Sequence, residues 1–253
     1  MQTLEGKVAW VTGSSRGIGA GIARLFAQEG ATVVLHGRDA VSLASVQREI
    51  ENTGGRSTAV TADVTKFVEI ERAREFIEQT VGPIDILVAN AGGNVAPPGP
   101  IEDSHEDAWR ATVDGNLTAT FLCIKSVLPG MKRRNRGAIV TMSSAAARRP
   151  DARSPIAYAA AKAGIELLTQ DVAGQIGPHN IRISCLAPDT ILTERNNARI
   201  PEDQKRQLAE TRPLRRLGTP DDVASAALFL VSDASAWITG VVLDVAGGSV
   251  LAR

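Results

Sequence analysis

The stretch Val8-Ala9-Trp10-Val11-Thr12-Gly13-Ser14-Ser15-Arg16-Gly17-Ile18-Gly19 decides the fold of this chain. Val8–Thr12 is a short apolar run of strand length, bounded by a turn signal. Helical periodicity takes over at Gly17–Glu29, where Ile18, Ile22, Leu25 and Phe26 share one face. Between the two lies a TGxxxGxG loop with glycines at 13, 17 and 19. A strand, a glycine-rich turn and a helix in that order make an anion cradle. Backbone comes close to a pyrophosphate, and the helix N-terminus offers N–H donors and the positive end of its dipole. The spacing is not GxGxxG, but the physics is the same. The alternative is a glycine-rich turn without a ligand, the less favoured reading even for the loop alone; its place at the first βα turn of a repeating pattern argues further for binding.

That pattern runs the length of the chain. Apolar runs of strand length recur at Thr32–His36, Thr58–Ala62, Ile84–Ala89, Ala138–Met142, Ile181–Ala187 and Val241–Val245. Helical periodicity fills the intervals at Ala40–Asn52, Val68–Val81, Ala108–Arg134, Ala157–Ile176 and Pro220–Ser232. Strands alternating with helices indicate βαβ units, and near-continuous apolar strands indicate a sheet covered on both faces. The expected fold class is α/β: a single-domain Rossmann-type doubly wound parallel sheet of about seven strands, with helices on both faces, over residues 1–253. Gly92–Pro100 reads as a surface loop. The one long polar break, at about residues 190–213, carries a helix-like piece at Pro201–Thr211 and reads as a substrate lid.

Composition excludes several classes. A chain that is 43% hydrophobic and 22% charged has the balance of a folded domain. Equal numbers of basic and acidic residues, 28 of each, argue against nucleic-acid binding. Two cysteines (Cys123, Cys185) and three scattered histidines (His36, His105, His179) supply neither a disulfide framework nor a metal centre. No apolar run approaches the roughly 20 residues needed to span a bilayer. Met1–Lys7 is too short and polar for a signal peptide, so a cytoplasmic protein is expected.

Cofactor choice is written after the second strand, in Leu35-His36-Gly37-Arg38-Asp39. An NAD-binding chain usually places an acidic residue there to accept from the ribose hydroxyls. Here Gly37 takes that position and Arg38 follows, with Arg16 able to converge from the glycine loop. Two guanidinium forks favour the 2′-phosphate of NADP(H). Against this, Arg38 could be a solvated charge and Asp39 a helix cap; were Asp39 to reach the ribose instead, NAD(H) would be used.

The chemistry is written in two segments. Ile139-Val140-Thr141-Met142-Ser143-Ser144 is a strand ending in two hydroxyls, at the sheet edge where ligands of parallel sheets bind. Tyr158-Ala159-Ala160-Ala161-Lys162 puts a phenol and an ammonium at i and i+4 on one helix face. A nearby cation favours the phenolate and lowers the phenol's pKa, which suits a general acid/base. Tyr158 is the only tyrosine in the chain.

With Thr12–Gly19, Asp63-Val64, Asn90-Ala91-Gly92, Asn116, Ser144, Tyr158/Lys162 and the end segment from Gly218 to Gly248, the chain resembles the short-chain dehydrogenase/reductase family over nearly its whole length. The resemblance implies that Tyr158 is the acid/base, that Lys162 binds the nicotinamide ribose and tunes Tyr158, and that Ser144 polarises the carbonyl, Ser143 being structural. It implies that Asn116 holds a water linking Lys162 to solvent. Gly13, Ser15, Arg16, Gly17, Ile18, Gly19, Arg38, Asp63, Val64, Asn90, Ala91, Gly92, Pro188, Ile191 and Thr193, with Tyr158 and Lys162, would line the cofactor. One departure stands out: the family's Pro-Gly after the sixth strand is Pro188-Asp189 here. The carboxylate is expected to turn outward and be tolerated.

The expected activity is NADP(H)-dependent hydride transfer between nicotinamide and a ketone or secondary alcohol. The chain most resembles the 3-oxoacyl-[acyl-carrier-protein] reductase subgroup, which points to a 3-oxoacyl thioester. The alternatives are a small polar ketone or sugar with NAD(H), and a non-catalytic dinucleotide-binding protein. Lys132, Arg133, Arg134 and Arg136 form a candidate docking patch for an acidic carrier, although a basic helix end is more often dipole compensation. Arg148, Arg149 and Arg153 could attract an anionic substrate, a solvated loop being the favoured reading. Arg195 and Arg199 in the lid lean toward a polar substrate. The resemblance also implies a homotetramer, with Ala108–Arg134 and Ala157–Ile176 pairing at one interface and Pro220–Val245 at another.

Overall fold

The computed structural model describes residues 3–95, 97–149 and 155–250. Among them, β1 (Val8–Thr12), β2 (Thr32–Gly37), β3 (Arg56–Thr61), β4 (Ile86–Ala89), β5 (Gly137–Met142), β6 (Ile181–Pro188) and β7 (Val242–Val245) form one seven-stranded sheet in the order β3-β2-β1-β4-β5-β6-β7. Every pair is parallel. The order reverses between β1 and β4, the switch point at whose carboxyl edge a doubly wound sheet opens a crevice.

Strand alternation divides the core in two. Ala9, Val11, Val33, Leu35 and Val88 point to one face. There they meet α1 (Gly17–Gln28), α2 (Ala40–Asn52) and α10 (Pro220–Val231), through Ile22, Phe26, Leu43, Val223 and Leu230. Trp10, Val34, Leu87, Ile139 and Ile183 point to the other. They pack under α3 (Phe67–Thr80), α5 (Ala119–Arg134) and α7 (Ile156–Ile176), through Ile70, Ile77, Val127, Met131 and Ile176. Burying each such side chain contributes roughly 1.5–3 kcal/mol, so the two layers hold the sheet and keep its edge rigid.

The expected elements are present, with shifted ends. β4 starts at Ile86 rather than Ile84; just before it, the Asp85 carboxylate accepts from Val8 N at 3.1 Å and pairs with Arg136 at 2.8 Å. The helix expected over Ala108–Arg134 is α4 (Glu106–Val113) running through a π-helical turn, Asp114–Thr118, into α5. The segment expected to act as a lid, at about residues 190–213, contains α8 (Glu194–Arg199) and α9 (Glu202–Glu210).

Candidate active site

The glycine loop is built by close backbone approach. Gly13 is left-handed (φ +66°), and a Cβ there would lie 2.8 Å from Ala91 Cα; a Cβ on Gly19 would overlap Gly13 O. The end of β4 locks onto this loop. Asn90 Nδ2 donates to Thr12 O (3.0 Å) and Gly13 O (3.1 Å), and Ala91 N donates to Thr12 Oγ1 (3.0 Å). Gly17 opens α1, and among the described residues Arg16 makes no side-chain cap there. The first N–H groups of α1 are thus offered to the crevice. Gly17 N meets the carboxylate of Glu194 at 3.1 Å.

A cavity of about 1120 Å³ runs from this loop across the sheet edge. It is lined by Gly13, Ser15–Gly19, Arg38, Asp63, Val64, Asn90–Gly92, Ser144, Tyr158, Lys162, Pro188, Ile191 and Thr193. Drug-sized pockets are about 300–1,000 Å³, so this one suits an extended ligand with a partner beside it. The glycine cradle, a helix N-terminus without a cap from its own N-cap residue and the length of the cavity together fit a dinucleotide.

Asn116 is the exception among the expected site residues. It is fully buried in the π-helical turn. Its Nδ2 donates to Gly93 O and Thr112 O, both at 2.7 Å, and its Oδ1 accepts from Gly93 N at 3.1 Å. Its backbone carbonyl accepts from Thr120 Oγ1 at 2.8 Å. The Asn116 side chain holds the Gly92-Gly93 segment against the cavity.

At the other end of the cavity stand the groups with chemistry. β5 delivers Ser143 and Ser144. Ser143 is buried and donates to Lys162 O (3.1 Å) and Glu166 Oε1 (2.8 Å), a structural role. Ser144 caps α6 (Ala145–Arg148), its Oγ accepting from Ala146 N at 3.2 Å, and it also hydrogen-bonds the side chain of Tyr158. Lys162 is 3% exposed, donates to Met142 O at 2.8 Å and lies 5.4 Å from the Tyr158 ring centroid. Burial pushes the Lys162 ammonium down to about 8. Burial pushes the Tyr158 phenol up, with the bond to Ser144 opposing. The sign for Tyr158 is thus opposite to the one expected from the Lys162 charge. Desolvation of the phenolate is the largest cause, and the Lys162 ammonium is turned to Met142 O.

Asp189 does not face outward. Its carboxylate pairs with the buried guanidinium of Arg212 at 2.7 Å and accepts from Ser249 Oγ. Its N–H donates to Val245 O at 3.2 Å, and its φ is not positive, so a glycine's freedom is not needed there. The arginines after Ser144 are committed rather than free. Arg148 pairs with Glu166 and Asp244, each at 3.2 Å, and Arg149 Nη1 donates to Ser249 O at 3.1 Å. Arg153 lies outside the described residues. In the candidate docking patch, Arg134 Nη2 donates to Ile84 O at 2.6 Å and Arg136 holds Asp85. Asp39 caps α2, accepting from Val41 N, Ser42 N and Ser42 Oγ, which leaves Arg16 and Arg38 as the charges beside the second strand that line the cavity unspent on a cap.

Sequence reasoning missed Glu166, Glu194 and Arg212. Only Glu166 carried a local signal, four residues after Lys162 and one helical turn along the same face. Cys123 and Cys185 are buried and pushed up to about 12 and about 11, so neither offers a thiolate. Among the described residues, no cluster of three or more His, Cys, Asp or Glu could hold a metal, and no helix is long and apolar enough to cross a membrane.

Known proteins resemble this chain in sequence and fold. A family model described as "Enoyl-(Acyl carrier protein) reductase" matches residues 13–249. The 7alpha-hydroxysteroid dehydrogenase of Escherichia coli K12 is 36% identical over 98% of this chain and 95% of its own length. The 3-oxoacyl-[acyl-carrier-protein] reductase FabG of Thermotoga maritima is 35% identical over 98% and 99%. A 3-oxoacyl-[acyl-carrier protein] reductase from Brucella melitensis, solved with bound NAD, superposes with a TM-score of 0.89 at 33% identity, covering 99% of this chain and 94% of that one. On its fold, its site and these likenesses, the chain belongs to the short-chain dehydrogenase/reductase family, and it is an oxidoreductase of that family acting on CH–OH groups.

Proposed function

We propose that the protein is an NADP(H)-dependent reductase of a ketone, or dehydrogenase of the matching secondary alcohol. The single observation that carries this is the convergence of Ser144, Tyr158 and Lys162 on one end of the cavity whose other end is the glycine loop. The nicotinamide supplies or accepts the hydride. Ser144 donates to the carbonyl oxygen and orients it. A phenol held protonated by burial is suited to giving its proton to that oxygen as negative charge develops. Lys162, close by and fixed by Met142 O, stabilises the phenolate left behind. Ser143, Glu166 and Arg148 hold the strand end and helix that carry these groups.

Arg16 and Arg38 beside a non-acidic Gly37 support NADP(H), since Asp39 is spent on its cap. NAD(H) is the second reading, favoured by the NAD bound to the Brucella relative. The names of the relatives span a steroid and an acyl carrier substrate. Internal commitment of Arg134 and Arg136 weakens the case for a carrier protein, and Arg195 at the cavity supports a polar substrate over a steroid. Asp189, the one departure from the family pattern, is the residue that would favour a non-catalytic role, and its carboxylate is paired with Arg212.

The experiment is NADPH and NADH oxidation with a panel of acetoacetyl thioesters, small ketones and keto sugars. Tyr158→Phe is expected to lower kcat about 10²- to 10⁴-fold with cofactor binding retained. Equal activity of the two proteins would remove the catalytic assignment.

A further inference from the structure

Glu194 is the first residue of α8, at the start of the lid, and its carboxylate reaches the N-terminus of α1 from 177 residues away in sequence. Oε2 accepts from Gly17 N–H at 3.1 Å. α1 has no acidic residue in its own first turn and, among the described residues, no side-chain cap, so its positive end is served from the lid. The lid backbone is braced to present this carboxylate. Thr193 Oγ1 caps α8 by accepting from Asn196 N at 3.3 Å, and Asn196 Nδ2 donates back to Ile191 O at 2.8 Å. Ile191, Thr193, Glu194 and Asn196 all line the cofactor cavity.

A carboxylate on the first free N–H of a helix behind a glycine loop has the charge and the acceptor geometry of a pyrophosphate oxygen. Two anions cannot share that single N–H, and like charges at this range repel. We propose that Glu194 is an intramolecular competitor for the pyrophosphate site: its carboxylate holds the same Gly17 N–H that a pyrophosphate oxygen would take, must leave when the dinucleotide enters, and thereby sets cofactor affinity. This rests on the reading of the loop as the pyrophosphate site. It assigns the lid a second task, since the segment that covers the substrate also senses whether the cofactor is in place. A carboxylate that returns to that N–H also favours cofactor exit, at the expense of tight binding.

The sign of the effect separates this role from a structural one. Damage to a site weakens binding, whereas removal of a competitor tightens it. Dissociation constants for NADPH and NADH are measured by fluorescence on the whole protein and on Glu194→Gln and Glu194→Ala. Inorganic pyrophosphate is measured on each as a competitor of the dinucleotide. Asp203→Asn, which removes an exposed lid carboxylate on α9, controls for net charge. Both Glu194 variants are expected to bind the dinucleotide and pyrophosphate about three- to tenfold more tightly than wild type, with Asp203→Asn unchanged. Unchanged or weaker binding in the Glu194 variants overturns the proposal. So does equal tightening in Asp203→Asn, or tightening of the dinucleotide without pyrophosphate. If neither wild type nor variants bind a dinucleotide, the reading of the loop itself has failed and the competitor role falls with it.

Discussion

Single residues in this site take their behaviour from what excludes water around them. His36, the penultimate residue of β2, lies beside the cavity, 1% exposed, its ring edge-on to Trp10 with centroids 5.8 Å apart. Among the described residues neither ring nitrogen has a hydrogen-bond partner, and burial lowers the imidazole to about 4, with Asp63 opposing. In the unfolded chain the same imidazole protonates near 6.5, so between these values the unfolded state binds more protons. The stability His36 confers by staying neutral is complete above about pH 6.5 and is lost as pH falls toward about 4. Urea unfolding is expected to show a loss of about 2 kcal/mol between pH 7 and pH 5, reduced in His36→Leu; identical pH slopes for the two proteins would remove His36 as the cause. Gly37, the next residue, carries a different expectation. A Cβ there would meet only ordinary contacts, Leu43 Cδ2 at 3.5 Å and Ser15 Cβ at 3.6 Å, so a side chain fits. Gly37→Asp puts a carboxylate where a 2′-phosphate would lie and is expected to lower the NADPH/NADH preference about tenfold or more. The ratio of the two kcat/KM values measures it.

Elements are tied to the site by charges that their own sequence does not pair. The turn after β6 is joined to the lid's exit through Asp189 and Arg212, and to the C-terminal segment through Ser249. Arg212 also donates to Leu208 O at 3.1 Å, at the end of α9. Restoring the family's residue by Asp189→Gly therefore strands a guanidinium that is 6% exposed. It is expected to cost about 3 kcal/mol, seen as a lower urea midpoint, rather than to improve turnover. A variant as stable as wild type would contradict the role of the pair. The π-helical turn at Asp114–Thr118 works in the same way. The extra residue per turn delivers Asn116 to Gly93, and a Cβ on Gly92 would lie 2.5 Å from Asn116 Oδ1, so this bulge and the loop are shaped to each other.

At the scale of the molecule, the sheet edge, the lid and an unburied apolar strip are separate zones. Phe229 on α10 (41% exposed), Trp237 (100%), Val241 (39%) and Leu243 on β7 (37%) form that strip along the last helix and the edge strand. Such exposure on an edge strand is a template for association, and we propose it as part of an interface between copies, as the family resemblance implies. Trp237→Glu together with Phe229→Glu is expected to shift the protein to a smaller species in sedimentation velocity, with the far-UV spectrum intact; an unchanged mass would place any interface elsewhere. Much of the molecule was legible before its structure. The strand and helix alternation, the glycine loop, the Tyr158/Lys162 pair and the Asp39 cap all lie within a few residues in sequence, and the physics that makes them acts over one or two turns. The Arg148–Asp244 pair spans 96 residues, the Asp189–Ser249 bond 60 and the Gly17–Glu194 contact 177. No local period records such partners, because only the assembled sheet brings the ends of β1, β5, β6 and β7 to one edge. The raised pKa of Tyr158 belongs with these. Spacing placed a cation beside the phenol, but the exclusion of water that decides its sign arises from the packing of the whole molecule.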